Sequence, residues 1–326
     1  MTDALSQGSK IYVAGHRGLV GSAMVRALQA AGVNNLVLRT HGELDLTDQA
    51  AVARFFADQR PDHVVLAAAK VGGIHANNTY PAEFIHDNLA VQTNVIHQAW
   101  RHGVKRLLFM GSSCIYPRDC PQPIKEEYLL TGPLEPTNQP YALAKIAGIE
   151  MCAGYNRQYG THFLCAMPTN LYGIGDNYNL QNSHVLPALI RKAHNAKLQN
   201  LPAMTVWGSG TPRREFLISD DLAAACLTLL QRPWADVEKI FPGPRLPLVN
   251  IGCGEDATIA ELATLVAGVV GYTGKIVWDA SKPDGTPRKV LDTSKMQLLG
   301  WRPMRSLEDG IGVAYRDFLS RDFESA

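Results

Sequence analysis

The chain carries almost no surplus of charge: 31 Lys and Arg face 30 Asp and Glu, a net charge of +1 over 326 residues. No global field draws it to nucleic acid or to an anionic membrane surface, so any phosphate it binds is held locally. Long apolar runs are also missing. Nowhere do about eighteen apolar residues follow one another, and no membrane span is expected. The opening Met1-Thr-Asp-Ala-Leu-Ser-Gln-Gly-Ser lacks a charged segment leading into an apolar one, which argues for a cytoplasmic protein. The six cysteines, at 114, 120, 152, 165, 226 and 253, form no CxxC pair and no zinc-ligand spacing. That usage suits reduced thiols and predicts no metal site. Internal repeats and low-complexity tracts are absent.

What is present is a globular composition, 46% hydrophobic and 19% charged, enough for one large or two modest domains. Up to residue 168, short apolar runs alternate with longer helix-compatible segments. The strand candidates are Ile11-Tyr-Val-Ala14, Leu36-Val-Leu38, His63-Val-Val-Leu-Ala67, Leu107-Leu-Phe-Met110 and Phe163-Leu-Cys-Ala-Met167, with helices near 19–31, 48–58, 83–102 and 140–158. This is the pattern of an α/β fold with a doubly wound, Rossmann-type parallel sheet. Beyond Pro168 the regularity weakens. Helices are expected from Ser183 to about Ala196 and near 219–231 and 258–270, and the Pro-rich run 241–247 reads as a surface loop. Residues 1–9 are expected as a flexible extension and 10–168 as the dinucleotide-binding domain. Residues 169–326 are read as a mainly substrate-binding α/β lobe, partly interleaved with the first domain.

Two motifs carry chemistry. After the first strand, Gly15, Gly18 and Gly21 permit a tight turn, close backbone approach to a pyrophosphate, and a helix N-terminus facing the anion. The second strand is followed by Arg39, Thr40 and His41 instead of the acid that holds a ribose 2′-hydroxyl, which favours a 2′-phosphate and hence NADPH. Arg17, inside the turn, is placed to reach the same phosphate. Glu43 and Asp45 lie close enough in sequence to serve a ribose or adenine edge instead. Further on stands Tyr141-Ala-Leu-Ala-Lys145. Residues four apart share a helix face, so phenol and ammonium point together, and Lys145 is expected to make the phenol more acidic. Tyr141 would then protonate a carbonyl oxygen as hydride arrives, with Ser112 hydrogen-bonded to that oxygen. Either motif alone is weak, but their order and separation make the pair specific.

The glycine turn, Gly111-Ser112-Ser113-Cys114-Ile115-Tyr116 and the Tyr141/Lys145 pair resemble the extended short-chain dehydrogenase/reductases. Five further runs narrow the likeness: Ala67-Ala-Ala-Lys-Val-Gly-Gly73, Asn77-Asn-Thr-Tyr-Pro81, Pro168-Thr-Asn-Leu-Tyr-Gly173, Trp207 to Phe216 and Asp279 to Arg288. With these, residues 10 to 320 resemble the GDP-L-fucose synthase family.

That resemblance implies a bifunctional enzyme that inverts carbons 3 and 5 of GDP-4-keto-6-deoxy-D-mannose and reduces its 4-ketone with NADPH. It assigns proton exchange to Cys114 and His184 and the reductive step to Ser112, Tyr141 and Lys145. Cofactor contacts carried over are His16, Leu19, Val20, His41, Met110, Gly111, Ser112, Ser113, Lys145, Pro168, Thr169, Asn170, Leu171 and His184. Substrate contacts are Lys192, Trp207, Arg214 and Asp284. A homodimer paired through the segments near 83–102 and 140–158 is implied as well. Asn182 and Ser183 are the expected N-caps of the helix that follows His184. A dehydratase on this scaffold would carry an acidic pair where Ser113, Cys114 and Ile115 stand. A 4-epimerase that retains its NAD would consume no cofactor, and a cofactor-sensing binding module would have no use for Tyr141 and Lys145 together.

Overall fold

The structure, a computed structural model, describes residues 3–180, 183–241, 246–282, 284 and 286–321, apart from the side chains at positions 74 and 75. Its largest sheet among the described residues has six parallel strands. In spatial order they are Leu248–Ile251, Phe163–Pro168, Arg106–Met110, His63–Leu66, Ile11–Ala14 and Leu36–Val37. These segments are apolar on both faces because both faces are covered. On one side lie the helices Gln49–Gln59, Pro81–Arg101 and Gln139–Tyr159, over Tyr12, Phe56, Phe109, Ile149 and Phe163. On the other, Leu19–Ala30 packs with Ser219–Gln231, closing Met24, Leu28, Leu222, Cys226 and Leu229 over Ile11, Val13, Leu108 and Leu164.

From Ile11–Ala14 the chain steps outward to Leu36–Val37 and then crosses to His63–Leu66 on the opposite side. Such a reversal opens a crevice above the carboxyl ends of the strands. The second lobe closes over it with three helices, Val185–Leu198, Ile259–Val270 and Leu307–Leu319, around their own core. Three small sheets join them: Ala257–Thr258 with Arg213–Arg214 and Arg288–Lys289, Ala203–Trp207 with Lys275–Asp279, and Asn170–Tyr172 with Phe216–Ile218. Leu248–Ile251 and Ser219–Gln231 lie beyond residue 168 yet belong to the first layer system.

Two expectations need correction. Residues 3–9, expected as a flexible extension, are packed: Leu5 is buried, and its N–H donates to the Leu230 carbonyl at 2.8 Å. Arg106, fully buried, donates to the carbonyls of Leu229 and Arg232 at 2.8 and 2.7 Å and pairs with Asp3. A buried guanidinium needs such partners, and the N-terminal segment supplies one. The helix expected from Ser183 begins at Val185, with His184 itself as N-cap in an extended conformation. Asn182, and residues 242–245 of the expected Pro-rich loop, lie outside the described residues.

The glycine turn is needed by the fold at two of its three positions. Gly15 has φ +83°, and a Cβ on Gly21 would stand 2.1 Å from the Gly15 carbonyl oxygen. A Cβ on Gly18 would meet that oxygen at 3.4 Å, an ordinary contact. Gly21→Ala is therefore expected to cost about 3 kcal/mol in denaturant unfolding through overpacking, whereas Gly18→Ala unfolds close to wild type. Equal stability of the two variants would contradict this packing.

Candidate active site

Every residue singled out from the sequence as catalytic, cofactor-binding or substrate-binding, except the alternative ribose contact Glu43, lines one cavity of about 1860 Å³ between the lobes. A site for one drug-sized ligand spans roughly 300–1,000 Å³, so this space suits two large ligands side by side.

At one end the turn Gly15–Gly21 delivers the N-terminus of Leu19–Ala30. Its N-cap is Gly18, with no side-chain cap and no acid in the first turn, so its N–H groups and positive dipole end are available to an anion. His16 Nδ1 is buried with no hydrogen-bond partner among the described residues. The two acids after the second strand turn back on their own loop. Glu43 accepts from Thr40 N and Oγ1 at 2.7 and 2.8 Å, and Asp45 from Thr47 N and Oγ1 at 2.9 and 2.7 Å. Arg17 and Arg39 enter no ion pair among the described residues; Arg39 is steadied by the Leu38 carbonyl and the Phe55 ring. His41 is well exposed and only loosely associated with Asp45 at 3.9 Å. This donor set fits a dinucleotide phosphate chain, with cations rather than acids at the adenosine end.

In the centre, the end of Arg106–Met110 meets the first turns of Gln139–Tyr159. Lys145, buried, donates from Nζ to the Met110 carbonyl at 2.9 Å and stands 5.8 Å from the centroid of the Tyr141 ring and 4.7 Å from that of Phe109. Burial pushes its ammonium down to about 8, opposed by the Cys114 and Cys165 thiols nearby. Phe84 holds the Tyr141 ring edge-on at 6.3 Å. Ser112 caps a short 3-10 turn, Ser113–Ile115, and its Oγ accepts from the Cys114 thiol at 3.1 Å. Cys114 thus sits in that turn, beyond the strand end where the sequence placed it.

The expected acidification of Tyr141 by Lys145 is not what the geometry gives. Burial raises the phenol well above its ordinary value; proximity to Cys114 adds to this and a hydrogen bond with Ser112 opposes it. Lys145 is turned to a main-chain carbonyl and the ring face, so its charge does not reach the phenol oxygen directly. Tyr141 is accordingly a protonated donor at rest.

His184 is exposed on the cavity wall, and desolvation by its surroundings lowers its pKa, helped by the Lys289 charge. In the far lobe, Lys192 donates to the Thr205 carbonyl and lies 5.1 Å from the centroid of Trp207, whose indole is 57% exposed. Arg214 is half-buried, with NH1 held by the Arg213 carbonyl. Asp284 sits on the rim, where its carboxylate accepts from Ser209 N and Oγ at 2.9 and 2.6 Å.

The sequence reading missed three cavity lysines, of which Lys70 is paired with Glu83 and Asp87. Lys282 stands 5.5 Å from the Trp207 centroid, opening a second cation contact to that ring, and Lys289 lines the cavity beside Arg214. The run Asp279 to Arg288 stopped one residue short of Lys289.

A family model described as the NAD dependent epimerase/dehydratase family matches residues 11–244. GDP-L-fucose synthase 1 of Arabidopsis thaliana is 59% identical over 313 residues, covering 96% of this chain and 94% of its own. GDP-L-fucose synthase of Escherichia coli K12 is 54% identical, covering 95% of this chain and 96% of its own. Among solved structures, MlghC, a GDP-mannoheptose C4 reductase of Campylobacter jejuni with NADP bound, superposes with a TM-score of 0.87. It is 41% identical and covers 97% of this chain and 99% of its own. With a fold, a cavity and relatives of this kind, the chain belongs to the NAD dependent epimerase/dehydratase family, in its GDP-L-fucose synthase group.

Proposed function

We propose that this protein converts GDP-4-keto-6-deoxy-D-mannose to GDP-L-fucose, inverting carbons 3 and 5 and reducing the 4-ketone with NADPH. The observation that carries this reading is the convergence of Ser112, Cys114, Tyr141, Lys145 and His184 on one cavity in a chain so similar to known synthases. Preference for NADPH is supported by the unpaired Arg17 and Arg39 and by acids engaged within their own loop. A relative with NADP bound agrees. The turn Gly15–Gly21, His16, Leu19, Val20, His41, Met110–Ser113 and Pro168–Leu171 hold this cofactor. Lys192, Trp207, Arg214 and Asp284 hold the GDP-sugar, with cations toward its diphosphate and an aromatic face toward the base or sugar.

When bound, the nicotinamide supplies the hydride. The 4-ketone acidifies the hydrogens on both adjacent carbons. Cys114, as thiolate, removes a proton there and His184 returns one; the proton gained by Cys114 passes to solvent and His184 is reprotonated from solvent, so both return to their starting states. Ser112 then holds the ketone oxygen while Tyr141, kept protonated by burial, delivers its proton to it. Lys145 steadies the Tyr141 ring face and binds the cofactor ribose. The protein acts as a cytoplasmic homodimer paired through Pro81–Arg101 and Gln139–Tyr159. Support comes from exposed Leu143 and Tyr159, the latter with its ring centroid 4.3 Å from that of Trp100, and from free cysteines.

Incubation with the keto-sugar and NADPH in deuterated water tests the reading. The expected product is GDP-L-fucose carrying deuterium at carbons 3 and 5, formed faster with NADPH than with NADH. A reduced sugar of unchanged configuration, or no NADPH consumption, overturns it. The pH profile gives a second check. Lys145 is charged below about 8 and neutral above, so kcat/KM for reduction falls as pH rises through about 8. A profile flat up to about 10, the ordinary lysine range, contradicts a role for that ammonium.

A further inference from the structure

The segment from Gly111 to Tyr116 carries Ser112 and Cys114, and two different strands of the central sheet hold its two ends. At its start, Gly111 N donates to the Ala166 carbonyl at 2.9 Å, on Phe163–Pro168. At its end, the Tyr116 hydroxyl donates to Asn250 Oδ1 at 2.5 Å, on the edge strand Leu248–Ile251. Between these anchors runs the turn Ser113–Ile115, closed by Ile115 N donating to the Ser112 carbonyl at 3.2 Å. Tyr116 and Asn250 are both buried, Tyr116 in the core on the Gln139–Tyr159 side of the sheet.

Asn250 is itself immobilised. Its Nδ2 donates to the Ile124 carbonyl at 2.9 Å and its N to Glu126 Oε1 at 3.0 Å, and the buried Glu126 pairs with Lys295 at 3.2 Å. A carbonyl can only accept, so the Ile124 bond orients the amide and leaves Oδ1 facing the phenol. Burial holds that phenol well above the ordinary tyrosine range, so it stays a donor. An apolar pair would fill this place without desolvating a hydroxyl and an amide. What the polar pair adds is a fixed distance and direction, the property of a satisfied buried network.

We propose that Tyr116 is a positioning residue for Cys114: its hydroxyl, clamped to Asn250, sets where the turn Ser113–Ile115 holds the thiol in the cavity. The inference rests on the exchange role given to Cys114 above. Tyr116 lies two residues beyond Cys114, so loss of the clamp lets the exit of the turn drift while Gly111 still holds its entry. Ser112, next to the fixed entry, shifts less. Proton abstraction tolerates little drift, since misplacement by about an ångström costs on the order of a hundredfold.

The test compares wild type, Tyr116→Phe and Tyr272→Phe, each as full-length enzyme. Tyr272 is a matched control, a buried tyrosine whose hydroxyl donates to the Leu201 carbonyl at 3.1 Å in the second lobe. Deuterium uptake into the keto-sugar with NADP⁺ bound isolates exchange from reduction, and it is read beside KM for the GDP-sugar, affinity for NADP and stability to denaturant. Tyr116→Phe slows uptake at saturating sugar about tenfold, with KM and NADP affinity unchanged. Tyr272→Phe takes up deuterium at the wild-type rate even where the two variants lose equal stability. Uptake by Tyr116→Phe at the wild-type rate, a loss confined to KM, equal slowing in both variants, or a Tyr116→Phe chain that does not fold overturns the proposal and leaves the hydroxyl a packing contact. Absence of uptake in wild type overturns the exchange reading and the proposal with it, and is told apart because it precedes any substitution.

Discussion

A buried ammonium donating to one main-chain carbonyl holds this site together. Lys145, on the second turn of Gln139–Tyr159, reaches across to Met110 at the end of a central strand. That single contact fixes the helix carrying Tyr141 against the segment carrying Ser112 and Cys114. A lysine so placed pays a desolvation cost, which lowers its pKa to about 8, and the carbonyl dipole and the ring faces of Phe109 and Tyr141 offset part of it. The same dry surroundings keep the Tyr141 phenol protonated. Position and protonation state therefore share one cause, the exclusion of water from the junction of strand and helix.

Much of the first layer system was legible from sequence. Parallel strands buried on both faces appear as short unbroken apolar runs, and five of the six central strands were read within about a residue of their bounds. The sixth, Leu248–Ile251, was missed because it pairs with a strand some eighty residues earlier and has no helix-strand rhythm around it. The packed N-terminal segment was missed for a similar reason. Leu5 and Asp3 are ordered by Arg106 and Leu230, partners far along the chain. Two-residue strands such as Arg213–Arg214 carry no periodicity at all.

In the site, residue types and order revealed which side chains meet, but not how they are tuned. Adjacent Tyr and Lys suggested an acidified phenol; only the three-dimensional burial decides that desolvation wins. Lys289 gave no local signal, because its meaning comes from a parallel pairing with Arg214. Near-zero net charge likewise concealed a marked local asymmetry. Arg17, Arg39, Lys145, Lys192, Arg214 and Lys289 all line the cavity, while Glu43, Asp45 and Asp284 are turned to hydroxyls and amides of their own neighbourhood. A neutral protein thereby offers a cationic cleft to two phosphorylated ligands.

The claim on which this account turns is that one half-buried phenol supplies the proton for reduction while a separate pair exchanges the ring hydrogens. The most direct measurement is single-turnover reduction by Tyr141→Phe beside its rate of deuterium uptake into substrate. Reduction should slow by about 10²- to 10⁴-fold, the usual worth of a positioned general acid, with deuterium uptake retained. Reduction at the wild-type rate, or loss of both activities in a folded variant that still binds NADP, would contradict it.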